Sequence, residues 1–358
     1  MVLVIIYLKM IEVVQVVRKF GKKGGMERYV WELSHALADQ GVLVHILCEE
    51  MTDTCNHHLI HVNTLKRVSE KPRWLAMLRF SRNVTKWFEY NSLNDCIIHS
   101  HERTSVHQVT TFHGPPFAHV MNKPFWKRVS LRVKVWLYLE KRELCSDQVK
   151  VVLPNSDLIS ENLRSLYPCA KERLYGPTYP GIEDQNLKSK KLEDRPNIIL
   201  FIGKEWKRKG LNFAVEIVDK LRLIDKSIEF WVLGPDPDSV RHLFKNWTDG
   251  FKLLGWDDPK KYLANSKLLI HPAISEPYGM AISEATSFGV PVVISNNCGI
   301  ASQISKKTGR VLSLDDSIDL WIKACSMEIK RNDLAHKVGK SWAELARDHI
   351  KLYESIFK

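Results

Sequence analysis

The stretch from Lys267 to Ser295 constrains the fold more than any other part of the chain, because its pattern reads as strand, loop, helix, strand. Lys267 to Ile274 (KLLIHPAI) is a short apolar run of the kind a buried parallel strand requires. Ser275-Glu276-Pro277-Tyr278-Gly279 is turn chemistry. Met280 to Phe288 has helical spacing and closes on Gly289, and Val290 to Ser295 is the next strand. A loop in such a βαβ unit lies at the carboxyl end of a strand, where open parallel sheets bind ligands. One carboxylate, Glu276, falls in that loop and a second, Glu284, on the first turns of the helix. The backbone amides of Gly279, Met280 and Ala281 lie between them at the helix N-terminus.

That arrangement suits a sugar nucleotide. A helix N-terminus offers free donors and partial positive charge to a pyrophosphate. Gly279 lets the backbone come close because it has no side chain. A carboxylate accepts two hydrogen bonds from a vicinal diol, and a sugar nucleotide carries diols on both ribose and hexose. The plainer reading is that both acids merely favour the helix dipole. Glu276 fits that reading, and Glu284, a turn further in, fits it less well.

The alternation extends through the chain. Glu12 to Val17 reads as a strand, followed by the loop RKFGKKGG, a helix from Met26 to Asp39, and a second strand from Val42 to Cys48. Short strands are expected at Asp95–His99, Val109–Phe112 and Val151–Pro154, with a long helical region from Phe125 to Leu144 and a helix capped by Asn155-Ser156-Asp157. The polar run Gln185 to Pro196, devoid of core residues, is the candidate linker. The pattern restarts with a strand at Asn197–Ile202, a helix at Leu211–Leu221 and a strand at Ile228–Leu233. An amphipathic helix, Ser341 to Ile356, ends the chain. Two α/β, Rossmann-like domains with a cleft between them follow, covering residues 1–183 and 184–340.

Its 358 residues suffice for two ordinary domains. The seven cysteines are scattered and show no CxxC spacing, so reduced thiols in a cytoplasmic compartment are expected. The apolar start before Lys9 is too short to span a bilayer and lacks the features of a signal peptide. Met10 could be the natural first residue, with 1–9 an upstream extension, or 1–9 could belong to the fold.

Net charge is +12, and residues 1–181 hold 25 Lys and Arg against 17 Asp and Glu. Two stretches dominate. Residues 66–88 interleave seven cations with Trp74, Phe80, Trp87 and Phe88; residues 119–143 interleave seven with Phe125, Trp126, Trp136 and Tyr138. Basic residues alternating with aromatics suit an anionic membrane surface. An ordinary solvated face with snorkelling stems explains them as well. No nucleic-acid motif accompanies the charge, so nucleic acid is not expected as a partner.

Three further constellations bear on chemistry. Gly24-Gly25 after the first strand opens a helix without matching a dinucleotide fingerprint, and by itself signals only a tight turn. The run Gly203 to Gly210 (GKEWKRKG) puts Lys204, Lys207, Arg208 and Lys209 at a strand's carboxyl end. There Arg208 could bind a pyrophosphate bidentately and Lys209 as a point charge. His113-Gly114 follows the strand VTTF. With His99, His101 and His107 it raises a competing reading, a metal-dependent hydrolase using the His99/His101/His113 cluster, although no acidic ligand set accompanies it. Asp236-Pro237-Asp238 could be an acidic metal-binding triplet but looks more like a turn. A non-catalytic polyanion-binding protein on a transferase scaffold is the third reading.

Together the segments FGKKGGMERYVWELSHALADQG, TFHGPP, VVLPNSDLISENL, TYPGIE, FIGKEWKRKG and HPAISEPYGMAISEATSFGVPVV resemble, in order, the family-4 retaining glycosyltransferases of the GT-B fold. Within that family the chain is similar to enzymes that build the lipopolysaccharide core. The resemblance implies two facing Rossmann-like domains, with the C-terminal helix (341–358) crossing back to the first. The second domain would hold a UDP- or GDP-linked donor without a metal or other cofactor, and the first a lipid-linked or polysaccharide acceptor. It also implies that Glu284 binds the ribose hydroxyls and Glu276 the donor sugar. Arg208 and Lys209 would neutralise the leaving diphosphate, Gly279, Met280 and Ala281 would supply amides, and Gly24-Gly25 would approach the donor. His113 would contact the transferred hexose. Lys204 stands where many members carry arginine, keeping charge but losing the bidentate fork. The expected location is cytoplasmic, peripheral at the inner face of the cell membrane.

Overall fold

A computed structural model describes residues 11–91, 93, 95–183 and 191–357. Residues 1–9 and the first half of the expected linker, 185–190, lie outside them. The chain divides into two compact units, one running to Gly181 and resuming at Lys340, the other Ile182–Gly339.

The first unit contains strands β1 (Glu12–Val16), β2 (Lys19–Phe20), β3 (Leu43–Cys48), β4 (Glu50–Met51), β5 (Ile60–Thr64), β6 (Ile97–Ser100), β7 (Val109–Phe112) and β8 (Val151–Pro154). Its helices are α1 (Gly25–Ala38), α2 (Arg73–Tyr90), α3 (Leu131–Cys145) and α4 (Asp157–Leu166). Six strands form a parallel sheet in the order β5-β3-β1-β6-β7-β8, while β2 and β4 pair as a separate ribbon. Strand runs such as VVQV and VTTF are buried on both faces, as a sheet covered by helices on both sides demands. One helix layer packs Met77, Phe80 and Val84 of α2 and Leu139 of α3 against Val14, Val16 and Leu47.

The second unit repeats the plan. Its strands are β9 (Ile198–Ile202), β10 (Glu229–Leu233), β11 (Phe251–Gly255), β12 (Leu268–His271), β13 (Val292–Ser295) and β14 (Gly309–Leu312). Its helices are α5 (Leu211–Ile224), α6 (Pro237–Val240), α7 (Lys260–Leu263), α8 (Met280–Ser287) and α9 (Ile318–Ile329). The sheet order is β11-β10-β9-β12-β13-β14, again all parallel. Phe201, Phe230, Ile270 and Val293 of the sheet bury against Leu211, Val218 and Leu221 of α5 and Trp321 of α9. The last helix, α10 (Trp342–Phe357), belongs to the first unit, where Trp342 meets Tyr29 edge-on at 5.5 Å and Gln40 donates to the Ala343 carbonyl at 2.8 Å.

Both sheets therefore follow one order: third, second, first, fourth, fifth, sixth. Strand order reverses between β1 and β6 in one unit and between β9 and β12 in the other. Loops leaving those strands diverge to opposite faces and open a crevice at the carboxyl edge, where such sheets take ligands.

Several expectations need correction. The expected helix Phe125–Leu144 is broken into a 3₁₀ turn, Phe125–Lys127, and α3, which starts afresh where the Ser130 side chain accepts from the Val133 amide at 3.3 Å. The strand expected to reach Ile274 stops at His271, because Pro272 has no amide to continue the ladder. The end of the expected linker is not coreless. Leu192 is buried, and the buried Arg195 guanidinium donates to the carbonyls of Leu263, Ser266 and Phe288. Nor are all thiols reduced: Cys145 and Cys169 form a disulfide, their Cα atoms 5.7 Å apart. Leu144, Tyr167 and Ala170 share a core cluster that brings the end of α3 against the turn Pro168–Arg173. The cysteines thus cease to argue for a reducing compartment.

Candidate active site

In the second unit the strands β9 and β12 deliver the charged residues of interest. β9 runs into Gly203, the residue after its end, whose backbone takes a φ of +152° and lies directly under Lys209; a Cβ there would sit 2.1 Å from Lys209 Cδ. The turn 203–210 closes on Gly210, at φ +79°, where a Cβ would stand 1.9 Å from the Pro272 carbonyl oxygen. Those two glycines let the cationic turn lie flat against the loop that follows β12.

Glu276 is the hub of that contact. Lys209 Nζ stands 2.8 Å from Glu276 Oε2, Arg208 Nη1 3.5 Å from it, and His271 Nε2 3.4 Å from it. Arg208 also binds the Ser275 carbonyl and forks onto Glu205 at 2.6 and 3.1 Å. Burial works against ionisation of Glu276, but the His271 ring and the charges of Lys209 and Arg208 outweigh it. They hold Glu276 well below the usual carboxylate range. His271 is pushed down, first by burial and then by the Lys209 charge, so the ring is neutral near pH 7 and its Nε2–H faces the carboxylate. The backbone of Glu276 is itself fixed by the loop after β13, through its amide to Asn297 O (3.0 Å) and its carbonyl from Gly299 N (2.8 Å).

Helix α8 begins next to this cluster. Gly279 is its N-cap, at φ +112°, a left-handed conformation that side chains disfavour, and a Cβ there would meet Ile282 Cδ1 at 2.7 Å. Met280 and Ala281 are its first two residues, whose amides have no intrahelical acceptor. Glu284 is half-buried on the second turn. Lys204 is exposed and joins no ion pair among the described residues, so the structure leaves it outside the cluster formed by Arg208, Lys209 and Glu276. His271 was the residue that sequence reasoning missed. The only hint was a histidine ending an apolar strand five residues before Glu276.

In the first unit Gly24 caps α1 at φ +106° and Gly25 is its first residue, both exposed. His113 follows β7 and packs edge-on against Tyr29 at 4.8 Å. The other histidines of the cluster are engaged with protein. His99 bonds Tyr353 and Thr111, His101 bonds Gln15 and His113, and His107 bonds Thr104 and the Glu143 carbonyl. Both ring nitrogens of His99 and His101 are thereby used, which removes the ligand pair on which the hydrolase reading rested. No group of three His, Cys, Asp or Glu among the described residues is placed to hold a metal. Asp236 accepts from the Asp238 amide at 3.1 Å and caps α6, a turn as expected.

The two basic, aromatic stretches differ. In 66–88, Phe80 is buried and Trp74, Trp87 and Phe88 are half-buried while Lys66, Arg67, Lys71, Arg73, Arg79, Arg82 and Lys86 are exposed, the pattern of an ordinary amphipathic face. In 119–143, Phe125 is 68% exposed, Trp126 73% and Leu131 66%, beside exposed Lys123, Lys127, Arg132 and Lys134. Among the described residues no helix is long and apolar enough to cross a membrane.

Two family models match the chain, "Glycosyltransferase Family 4" over residues 23–175 and "Glycosyl transferases group 1" over 183–342. The chain belongs to the family-4 glycosyltransferases and has the GT-B fold. It is similar to the lipopolysaccharide glucosyltransferase WaaG of Escherichia coli K12, with 24% identity over 190 residues, covering 51% of this chain and 49% of that protein. A crystal structure of WaaG, described as involved in lipopolysaccharide biosynthesis, superposes with a TM-score of 0.78 at 18% identity, covering 96% and 98% of the two chains. An uncharacterised 41.2 kDa protein in the cps region of Klebsiella pneumoniae is 24% identical over 269 residues, 67% of this chain and 69% of its own. Anabaena HepE, solved in complex with UDP and glucose, superposes with a TM-score of 0.67 at 14% identity over 97% and 98%.

Proposed function

We propose that this glycosyltransferase moves a hexose, with retention of configuration and without a metal, from a UDP- or GDP-linked donor to a lipid-linked or polysaccharide acceptor. Its place would be lipopolysaccharide or cell-surface glycan synthesis. The observation that carries the reading is the convergence of Lys209, Arg208 and His271 on one buried Glu276 beside the N-terminus of α8. Departure of a nucleoside diphosphate from the anomeric carbon leaves an oxocarbenium-like centre and a developing polyanion. In this reading the two cations held on Glu276 and the amides of Met280 and Ala281 meet that charge, with little reorganisation in the step. Ionised Glu276 accepts hydroxyls of the donor sugar while it holds Lys209 in place. Glu284 takes the ribose diol, and His113 meets the hexose. The complexes and names of HepE and WaaG agree with a sugar nucleotide and a glycan acceptor.

The exposed Phe125, Trp126 and Leu131, ringed by cations, would seat the first unit on an anionic membrane, where a lipid-linked acceptor resides. The donor reading is tested by thermal shift with UDP-glucose, GDP-mannose and UDP-N-acetylglucosamine. One of them should raise the melting temperature by a few degrees, and Glu284→Ala should abolish that rise. A flat response to all three, or an undiminished response in Glu284→Ala, overturns the assignment.

A further inference from the structure

Beneath His113 runs a chain of buried side chains that no part of the transfer reaction requires by itself. His113 Nε2 lies 2.9 Å from His101 Nδ1, and His101 Nε2 lies 2.6 Å from Gln15 Oε1. Gln15 Nε2 faces the Tyr353 hydroxyl at 3.4 Å, Tyr353 OH lies 2.7 Å from His99 Nδ1, and His99 Nε2 2.8 Å from Thr111 Oγ1. Gln15, His99, Thr111 and Tyr353 are fully buried and His101 nearly so. Burial keeps both His101 and His113 neutral, so each ring has one N–H and one lone pair.

The direction of the chain then follows from one amide. Gln15 Oε1 can only accept, so His101 Nε2 must donate to it. His101 Nδ1 is left as an acceptor, and His113 Nε2 must donate to that. On the other side Gln15 Nε2 donates to the Tyr353 hydroxyl, and the two ring nitrogens of His99 bond Tyr353 and Thr111. On the His113 side each bond has one donor and one acceptor, both running toward Gln15. His113 Nδ1 is the remaining end: it has no partner among the described residues, and the ring is half-buried rather than enclosed.

We infer that Gln15 and His101 are positioning residues that fix His113 as its Nε2–H tautomer, so that His113 presents a lone pair at Nδ1 and accepts a hydrogen bond from a hydroxyl of the transferred hexose. The inference rests on the sugar-contacting role proposed for His113, but the tautomer itself does not. A lone pair facing the sugar also suits a step in which positive charge grows on the sugar, where an N–H dipole would oppose it.

The test is long-range ¹H–¹⁵N correlation spectroscopy on histidine-labelled protein without substrate, with His113 identified by its loss in His113→Ala. Wild type should show a pyridine-type Nδ1 and a pyrrole-type Nε2 for His113. Gln15→Met, close in shape but without an acceptor, should give a mixture of tautomers, whereas Tyr353→Phe, which leaves the Gln15–His101 bond, should not. With UDP-glucose as donor, Gln15→Met should lower kcat by about tenfold with little change in KM. A wild-type Nδ1–H tautomer, or an unchanged His113 in Gln15→Met, overturns the inference. The wild-type spectrum decides the tautomer even if a variant does not fold. A correct wild-type tautomer that becomes mixed in Gln15→Met with kcat unchanged would count against the sugar contact alone.

Discussion

Lys209 crosses the backbone of Gly203 to reach Glu276, so its ammonium is held at a set point rather than left on a mobile stem. A charge placed in advance is what a leaving diphosphate needs. Lys209→Ala should therefore lower kcat by about 100-fold while changing donor KM much less, measured by steady-state transfer. Equal loss in both parameters would mean that Lys209 serves ground-state binding only. The residue types were legible in the sequence: two cations in one glycine-bounded turn, two acids flanking a helix start. That Lys209 and Arg208 share one carboxylate, and that a neutral histidine completes the set, was not legible. Arg208 and Glu276 are 68 residues apart, and the partners meet only because β9 and β12 are neighbours in the sheet.

Strands and helices with strong local signals stood out in the sequence. Apolar runs at β7, β8 and β9 and the capped start of α4 were read within a residue or so of their positions. Strand β5 and helix α9 went unread. β5 carries His61 and Asn63 within a short run, and α9 follows turn-rich sequence that hides its start. The segment between β7 and α3 failed for another reason. Its helical periodicity is real, but Pro124 and the Ser130 cap divide it, and the turn between them carries Phe125 and Trp126 outward. That projection makes a prediction at the scale of the element. The double variant Phe125→Ser/Trp126→Ser should bind vesicles of mixed anionic and zwitterionic phospholipid at least tenfold more weakly by co-sedimentation, since two aromatic side chains contribute about 3 kcal/mol or more of apolar burial. Undiminished binding would leave only the cations to hold the surface.

At the scale of the molecule, the first unit stores an unusual number of neutral histidines. Burial is the first cause in each: His107 and His349 are pushed down to about 4, His113 to about 3, and His99 and His101 well below the ordinary value. Unfolding frees them to titrate near 6.5, so below that pH the unfolded chain binds protons that the fold refuses, and stability falls as pH falls. Glu102 and Glu143 act oppositely. Burial raises both to about 7, so between about 4.5 and 7 the folded state binds protons that the unfolded one does not. Five histidines outweigh two glutamates, and each proton of imbalance contributes about 1.4 kcal/mol per pH unit. The melting temperature should therefore drop steeply from pH 6.5 to 5, before ordinary carboxylates titrate. A flat profile over that range would contradict neutral burial of the cluster.

The sequence by itself determined the alternation of short apolar strands with helices, the division into two similar halves and the identity of the charged turn and the acidic loop. Those features are carried by local periodicity, cap residues and glycine spacing, which act over a few residues. Tertiary structure alone decided which strands are neighbours, and with that the meeting of Lys209 with Glu276, the Cys145–Cys169 bond and the chain from His113 to Tyr353. Each of these joins residues distant in the sequence. Contacts of that kind are fixed by sheet order and side-chain packing, for which no local pattern carries a signal.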